Sequence, residues 1–165
     1  MNFWRIRVGN PDVSKKCVEE NVVAIGWGKR EICKMSEEKL REWSRLEGKS
    51  GAGLGVEIRQ IKDFCENISV GDKIMLFGGA SIYAIGEVMG PPYRKEDPSF
   101  KGEVKFKGKE VLFYNHRKVE WEKVFDPPRK VKDLELSKKM KNWLNIMPTI
   151  VRLEPHEWDD TIKAL

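Results

Sequence analysis

A chain of 165 residues that is 40% hydrophobic and 35% charged holds enough apolar material for one folded domain, or two at most. Its net charge of +5 favours an anionic partner only weakly, because a lysine- and glutamate-rich chain with Gln60 as its single glutamine has the composition of a hyperthermophile surface. The sequence contains no run of about 20 apolar residues, so no membrane span is predicted. No signal-peptide core follows the N-terminus, and we therefore expect a cytoplasmic protein.

The N-terminal segment predicts strand, helix and strand. Residues 3–8 alternate between apolar and polar side chains and predict a first strand. Ser14 is a candidate cap for a helix over residues 14–20. The apolar, β-branched run 22–26 predicts a buried second strand, which leads directly into Trp27.

Two helices are predicted next. Ser36 stands before two glutamates, which is typical of a helix start, and the apolar spacing extends that helix over residues 36–47. A second helix is predicted over residues 55–66. The glycine-rich stretch 48–55 predicts a flexible connection between them, since its spacing fits neither a P-loop nor a dinucleotide-binding motif.

The following segment predicts a β-hairpin and one more strand. The hairpin pairs residues 74–77 with residues 82–89. Residues 93–110 are polar and lysine-rich and show no strand pattern. A strand is predicted over residues 117–125, with Trp121 on its core face, and two consecutive prolines are expected to end it.

The C-terminal segment predicts a helix near residues 136–144, a strand over residues 148–153 and a helix with Pro155 at its first position. We find no internal repeat and no linker. The elements predict one α+β domain over residues 1–165, a curved sheet or small barrel of five or six strands flanked by helices.

The three cysteines predict neither a zinc site nor a disulfide framework. They are widely spaced, form no C-x-x-C pair, and have only two histidines beside them. Cys17 and Cys65 occupy apolar positions of predicted helices, so both are expected to be buried thiols. No metal and no cofactor is predicted.

Trp27 is flanked by Gly26 and Gly28 at the end of the second strand. The two glycines leave no side-chain cover on either side of the indole, which could therefore offer a ring face to a flat ligand. The alternative is a core tryptophan at a tight turn. This segment alone leaves the two interpretations equally open.

Aromatic and basic residues interleave between residues 93 and 118. Nucleobases stack on aromatic faces, and lysine and arginine neutralise phosphates. The alternative is a solvated thermophile surface around core aromatics, but together with Trp27 the pattern favours contact with a nucleic acid. The candidate backbone-binding cations are Lys29, Arg30, Lys101, Lys105, Lys107, Lys109 and Arg117.

Enzymatic function is weakly indicated. Asp97, Glu103 and Lys105 give a faint version of a metal-dependent nuclease motif, but no strand pattern supports them, and two-metal chemistry needs acids on rigid elements. We therefore expect a binding module rather than an enzyme, with a small metal nuclease or a protein-interaction domain as alternatives.

The order of the sequence pieces resembles the PUA-like superfamily, in particular its EVE and YTH branches. The pieces are FWRIRVGN, VVAIGWG, VGDKIMLFGGASIYAIGEVMGPP, RKVEWEKVF and PTIVRLEPHEWDDTIKAL, and they span nearly the full chain. Domains of these branches bind a modified base that is flipped out of the strand into an aromatic cage. The resemblance thus implies a reader of a methylated base, with N6-methyladenine as the leading candidate.

The same resemblance implies which residues form the cage. Trp27 occupies the place of the tryptophan wall after the second strand, and Asn10 and the backbone near Gly28 would contact the base edge. The chain departs from the YTH pattern because Gly9 stands at the end of the first strand and residues 93–118 contain no tryptophan. The resemblance places the second wall just before the V-x-W strand, at Phe113 and Tyr114, and the departure leaves Tyr93 and Phe100 as alternatives.

The chain also resembles the N-terminal recognition domain of archaeal McrB-like, modification-dependent restriction GTPases. This implies a DNA-targeting module that forms the N-terminal part of a longer protein. Such a module would be monomeric alone and oligomeric through an absent AAA+ domain. The main rival is a PUA-like RNA-binding module that acts in RNA modification or translation.

Overall fold

A computed structural model describes residues 1–9, 11–26, 31–95, 104–106, 109–111, 113–145 and 149–165, with the backbone alone for 104–106 and 109–111. The strands are β1 (Phe3–Arg7), β2 (Val22–Ile25), β3 (Lys73–Gly78), β4 (Ser81–Val88), β5 (Tyr93–Arg94), β6 (Val104–Phe106), β7 (Lys109–Val111), β8 (Asn115–Lys130) and β9 (Ile150–Leu153). The helices are α1 (Pro11–Glu19), α2 (Glu37–Leu46), α3 (Gly51–Lys62), α4 (Lys138–Leu144) and α5 (Pro155–Lys163).

Seven strands form a mixed, curled sheet in the order β2-β8-β4-β3-β1-β9, and β5 adds to β8 at one edge. β1 runs parallel to β3 with Trp4 opposite Ile74, whereas the other pairs are antiparallel. β6 and β7 form a separate hairpin. The predicted α+β class with a curved sheet flanked by helices is confirmed, with more strands than predicted.

Both faces of the sheet are covered, and this decides the burial of β1. Trp4 and Ile6 face the first core as predicted. Arg5, on the predicted polar face, is also fully buried and donates a 2.5 Å hydrogen bond to the carbonyl oxygen of Leu144 at the end of α4. Burial, with a smaller effect from neighbouring Arg7, lowers the pKa of Arg5 to about 9.

The predicted start of α1 is wrong by one turn. The helix begins at Pro11, which suits the first helical position because proline has no N–H to leave unpaired there. Ser14 is therefore not a cap but a buried residue inside the helix. It lies against β3, where a Cβ on Gly78 would be only 2.3 Å from the Ser14 Oγ.

The helix over residues 36–47 is confirmed, but the flexible connection over residues 48–55 is wrong. The side chain of Ser36 accepts a hydrogen bond from the Lys39 N–H and caps α2. α3 already begins at Gly51 and continues into a π-helical turn over Asp63–Asn67. Burial of its apolar face outweighs the low helix propensity of its glycines; the buried apolar residues are Leu54, Ile58 and Ile61.

β8 is longer than predicted, because the two prolines do not end it. The strand continues through a cis Asp126–Pro127 bond and pairs again with β4 at Lys130. The register shifts between Ile82 and Ala84 of β4, so the prolines fall in a bulge. A residue without an N–H is tolerated there, since no ladder hydrogen bond is required.

The predicted hairpin of β3 and β4 and the three C-terminal elements are confirmed. The first core packs β1–β4 against α1, α2 and α3, and the second packs the other face against α4 and α5. Among the described residues, no helix is long and apolar enough to cross a membrane. β2, β8 and β5 form one edge of the sheet. In the sequence, these three strands adjoin segments that carry predicted site residues.

Candidate functional site

Four of the predicted site residues have described side chains, namely Tyr93, Phe113, Tyr114 and Arg117. Lys105 and Lys109 lie on β6 and β7, where only the backbone is described. The remaining predictions lie outside the described residues, and these are Asn10, Trp27, Gly28, Lys29, Arg30, Lys101 and Lys107, with the alternative residues Asp97, Phe100 and Glu103.

The start of β8 lies between the end of β2 and β5. Asn115 pairs with Ile25 of β2 on one side and with Arg94 of β5 on the other. Trp27 follows Ile25 by two residues in the sequence, and Tyr114 precedes Asn115 by one. The strand register therefore places Ile25, two residues before Trp27, beside Asn115, the residue after Tyr114.

Phe113 and Tyr114 are buried rather than open to solvent. Phe113 is 4% exposed and belongs to the first core, and Tyr114 is 7% exposed. The guanidinium of Arg94 lies over the Tyr114 ring, 5.4 Å from its centroid, and the Tyr114 carbonyl oxygen accepts from the Lys95 N–H. A role for Tyr114 as a ligand-binding wall requires the Arg94 side chain to move off its ring.

His116 is a neutral, interior residue of this edge. It is fully buried, and burial lowers its pKa below the usual range, although the hydrogen bond to Phe113 opposes this. Its Nε2 lies 2.8 Å from the Phe113 carbonyl oxygen, which can only accept, so Nε2 carries the proton. The Tyr93 ring is tilted against the imidazole with a centroid separation of 5.7 Å.

Arg117, predicted as a cation that binds the nucleic-acid backbone, has its side chain in the protein interior. It is 2% exposed, and its Nε donates a 2.7 Å bond to the carbonyl oxygen of Phe64. Weaker bonds of 3.3 Å reach the carbonyl oxygens of Gly90 and Cys65. Burial lowers the pKa of Arg117 to about 10, opposed by the charge of Asp72.

The inward direction of Arg117 has a signal in the sequence. Side chains alternate along a strand, so Arg117 shares a face with Val119 and Trp121, which the pattern assigns to the core. The basic composition of the tract predicted a surface position for Arg117, whereas the alternation of side chains along the strand predicted an interior one. The structure agrees with the alternation.

The prediction that the cysteines form no disulfide bond is wrong, and so is the prediction that Cys65 is a buried thiol. Cys33 and Cys65 form a disulfide bond between the short 3-10 turn after β2 (Ile32–Lys34) and the π-helical turn. Spacing in the sequence carried no signal, because the two lie 32 positions apart and only folding brings them together. Cys17 is the free cysteine of the described residues, and burial raises its pKa to about 12.

No cluster of metal ligands is found among the side chains that the structure describes. One ion pair lies close to the edge. The Lys95 Nζ lies 2.9 Å from a carboxylate oxygen of Glu20, at the end of α1.

Sequence comparison places the chain in a defined family. The sequence profile of the family described as "Domain of unknown function (DUF8426)" matches residues 4–153. No curated protein sequence matches the chain.

Structural comparison finds the same fold in YTH domains. The YTH domain of the Zygosaccharomyces rouxii MRB1 protein, in complex with N6-methyladenosine RNA, has a TM-score of 0.50 at 12% identity, with 98% of this chain and 84% of that chain covered. The Toxoplasma CPSF4-YTH domain in apo form has a TM-score of 0.49 at 12% identity, with the same coverage. A protein from Pseudomonas syringae has a TM-score of 0.49 at 10% identity, with 98% and 97% covered.

Proposed function

We propose that this chain, which belongs to the DUF8426 family of domains of unknown function, binds a nucleic-acid strand carrying a methylated base that is flipped out of the stack. The observation that carries the proposal is the ladder at the sheet edge, in which Asn115 is paired on both sides by Ile25 and Arg94. It adjoins the two chain segments that a YTH-like cage requires. The YTH-like fold supports the same function.

The energetics of flipping set what the site must provide. Extruding a base costs a few kcal/mol of unstacking and unpairing, whereas one buried methyl group contributes only about 1 kcal/mol. Stacking on the indole of Trp27 supplies the greater stabilisation, about 1–3 kcal/mol. Hydrogen bonds from Asn10 and the backbone near Gly28 then discriminate the base edge.

The second wall is proposed to come from the aromatic pair before β8. Tyr114 lies directly under the half-buried Arg94 side chain, so a displacement of that side chain uncovers the ring. The predicted backbone-binding cations hold the phosphates without contacting the base and give a salt-dependent affinity; they are Lys29, Arg30, Lys101, Lys105, Lys107 and Lys109.

We propose N6-methyladenine in DNA as the ligand and a targeting role in a cytoplasmic, modification-dependent restriction system of the McrB type. The proposal rests on the resemblance of the sequence pieces to that recognition domain and on the basic charge. The domain acts as a monomer when alone and binds without catalysing a reaction. Magnesium-dependent cleavage of DNA by the purified protein would contradict the last point.

The test is a binding titration with paired DNA oligonucleotides that carry adenine or N6-methyladenine at one position. The Trp27→Ala variant is expected to bind both equally and to keep a residual, salt-sensitive affinity. Trp27→Phe, which keeps an aromatic face, is the matched control and is expected to keep the preference. Unchanged methyl preference in Trp27→Ala would overturn the assignment of the wall.

An RNA ligand is the second candidate, favoured by the N6-methyladenosine RNA bound to the YTH domain of similar fold. Sequence does not separate the two, since the 2′-hydroxyl contacts that distinguish RNA cannot be located from it. Competition between matched DNA and RNA strands with the same methylated base decides between them.

A further inference from the structure

A cavity of about 500 Å³ opens on the same sheet edge, where the end of α1, the start of β2, the end of β4 and β8 meet. It lies at the opposite end of the β2–β8 ladder from Asn115, because Val22 pairs with Lys118 and both line it. Three residue steps separate Val22 from Ile25, which is about 10 Å along a strand. The volume is within the range of about 300–1,000 Å³ for small-ligand sites.

The apolar part of the cavity offers flat and polarisable surfaces. Tyr93 and Met89 are 37% and 48% exposed, and Trp121, expected in the core, is only partly buried. The indole N–H of Trp121 donates to the Cys17 carbonyl oxygen at 3.2 Å, which holds the ring in place. Gly86 lies under this ring, since a Cβ there would be 2.8 Å from the Trp121 Cε3.

The polar part of the cavity carries acceptors at its wall and a cation at its edge. Glu20 and Glu120 supply carboxylates, and both residues are exposed. Lys95 pairs with Glu20, and Lys118 is exposed beside them. Carboxylates repel phosphate but accept hydrogen bonds from the exocyclic amino group of a base, as glutamate does with cytosine N4.

We propose that this cavity binds a second nucleobase that bears an exocyclic amino group, from a nucleotide that flanks the modified base on the same strand. The base stacks on Tyr93 beside Trp121 and donates its amino group to Glu120. Lys118 holds the adjoining phosphate. The inference rests on the proposed function, because the flanking nucleotide reaches the cavity only if the strand is bound at the neighbouring end of the ladder.

The test combines two variants with abasic oligonucleotides. Tyr93→Leu removes a stacking face, and Glu120→Gln removes the carboxylate. Each is expected to lower the affinity for a single strand about tenfold. Glu122→Gln is the matched control, since Glu122 lies two residues along β8 and is paired with Lys73 outside the cavity. It is expected to bind as the wild type does.

An abasic scan identifies the base that occupies the cavity. At one flanking position, removal of the base is expected to weaken wild-type binding and to abolish the difference between wild type and Glu120→Gln. If the Glu120→Gln effect persists at every abasic position, or if neither variant weakens binding, the cavity does not hold a base.

The methyl preference separates this inference from the proposed function. The cavity variants are expected to lower the affinity for methylated and unmodified strands equally, whereas Trp27→Ala removes the preference itself. A wild type without any methyl preference would overturn the proposed function, yet the abasic scan would still report on the cavity. Loss of the preference in Glu120→Gln would overturn the separate subsite, because the cavity would then be the cage.

Discussion

The guanidinium of Arg117 donates a 2.7 Å hydrogen bond to the backbone carbonyl oxygen of Phe64 and lies 5.5 Å from the centroid of its ring. This contact joins the start of β8 to the π-helical turn after α3. Since the same side chain also donates to Cys65, it fixes β8 to the turn that carries the disulfide bond. The buried Arg117 side chain therefore holds the start of β8, which borders the candidate site, against the π-helical turn.

Arg117→Met is expected to lower the free energy of unfolding by about 2–4 kcal/mol, because it leaves the carbonyl groups of Phe64, Gly90 and Cys65 without this donor. Urea denaturation measures the loss. Lys118→Met, an exposed neighbour, is the control and should stay within about 0.5 kcal/mol of wild type. An Arg117 variant of unchanged stability but weaker nucleic-acid binding would instead support the sequence-based prediction of a phosphate contact.

Asp72 is a second buried residue with several hydrogen-bond partners, and its contribution to the free energy of unfolding depends on pH. It is 2% exposed and accepts from Trp4 Nε1 at 2.9 Å and from the N–H groups of Asn2 and Ser69 at 2.7 and 3.0 Å. Burial raises its pKa, but these hydrogen bonds outweigh burial and hold the pKa below its usual value of 3.8. Asp72→Asn is expected to cost about 2–4 kcal/mol at pH 7.

The sign of the pH dependence follows from that lowered pKa. The stabilisation is fully present above the unfolded pKa of about 4 and is lost as the pH falls through the lower folded pKa. The difference in unfolding free energy between wild type and Asp72→Asn should therefore shrink below pH 4. Asp133→Asn, at an exposed position, serves as the control. A difference that grows in acid would contradict the assignment.

The disulfide between Cys33 and Cys65 predicts a simple thiol count. The denatured, unreduced protein should show one reactive thiol, that of Cys17, and three after reduction. Reduction should also lower the free energy of unfolding by about 3–4 kcal/mol, the chain-entropy value for a loop of this length. Three thiols without reductant would show that the bond does not form.

Two glycine substitutions are expected to change stability in opposite directions. A Cβ at Gly86 would lie 2.3 Å from the Glu120 carbonyl oxygen, so Gly86→Ala forces β4 and β8 apart and should cost about 2 kcal/mol or more. A Cβ at Gly55 of α3 meets nothing within 4 Å, so Gly55→Ala should stabilise by about 0.5–1 kcal/mol. Thermal unfolding measures both, and equal shifts would contradict the strand register at Gly86.

Part of the candidate site could be predicted from the sequence. The strand that follows Phe113 and Tyr114 was predicted, and its first residue, Asn115, pairs with Ile25 at the end of β2. The residues that contact these side chains could not be predicted. Arg94 covers the Tyr114 ring and Arg117 points to the π-helical turn, because neighbours distant in the chain provide the ring or the carbonyl oxygens.

The sequence by itself determined the elements that local physics decides. The strands β1 and β2, the cap at Ser36 and Pro155 at the start of α5 each depend on residues close together in the sequence, and the structure confirms them. Only the tertiary structure decided that α3 begins at Gly51, that β8 continues past Pro127, and which cysteines pair. In each case a contact distant in sequence outweighs the local preference: a buried helix face, a bulge opposite β4, or a bond between two turns.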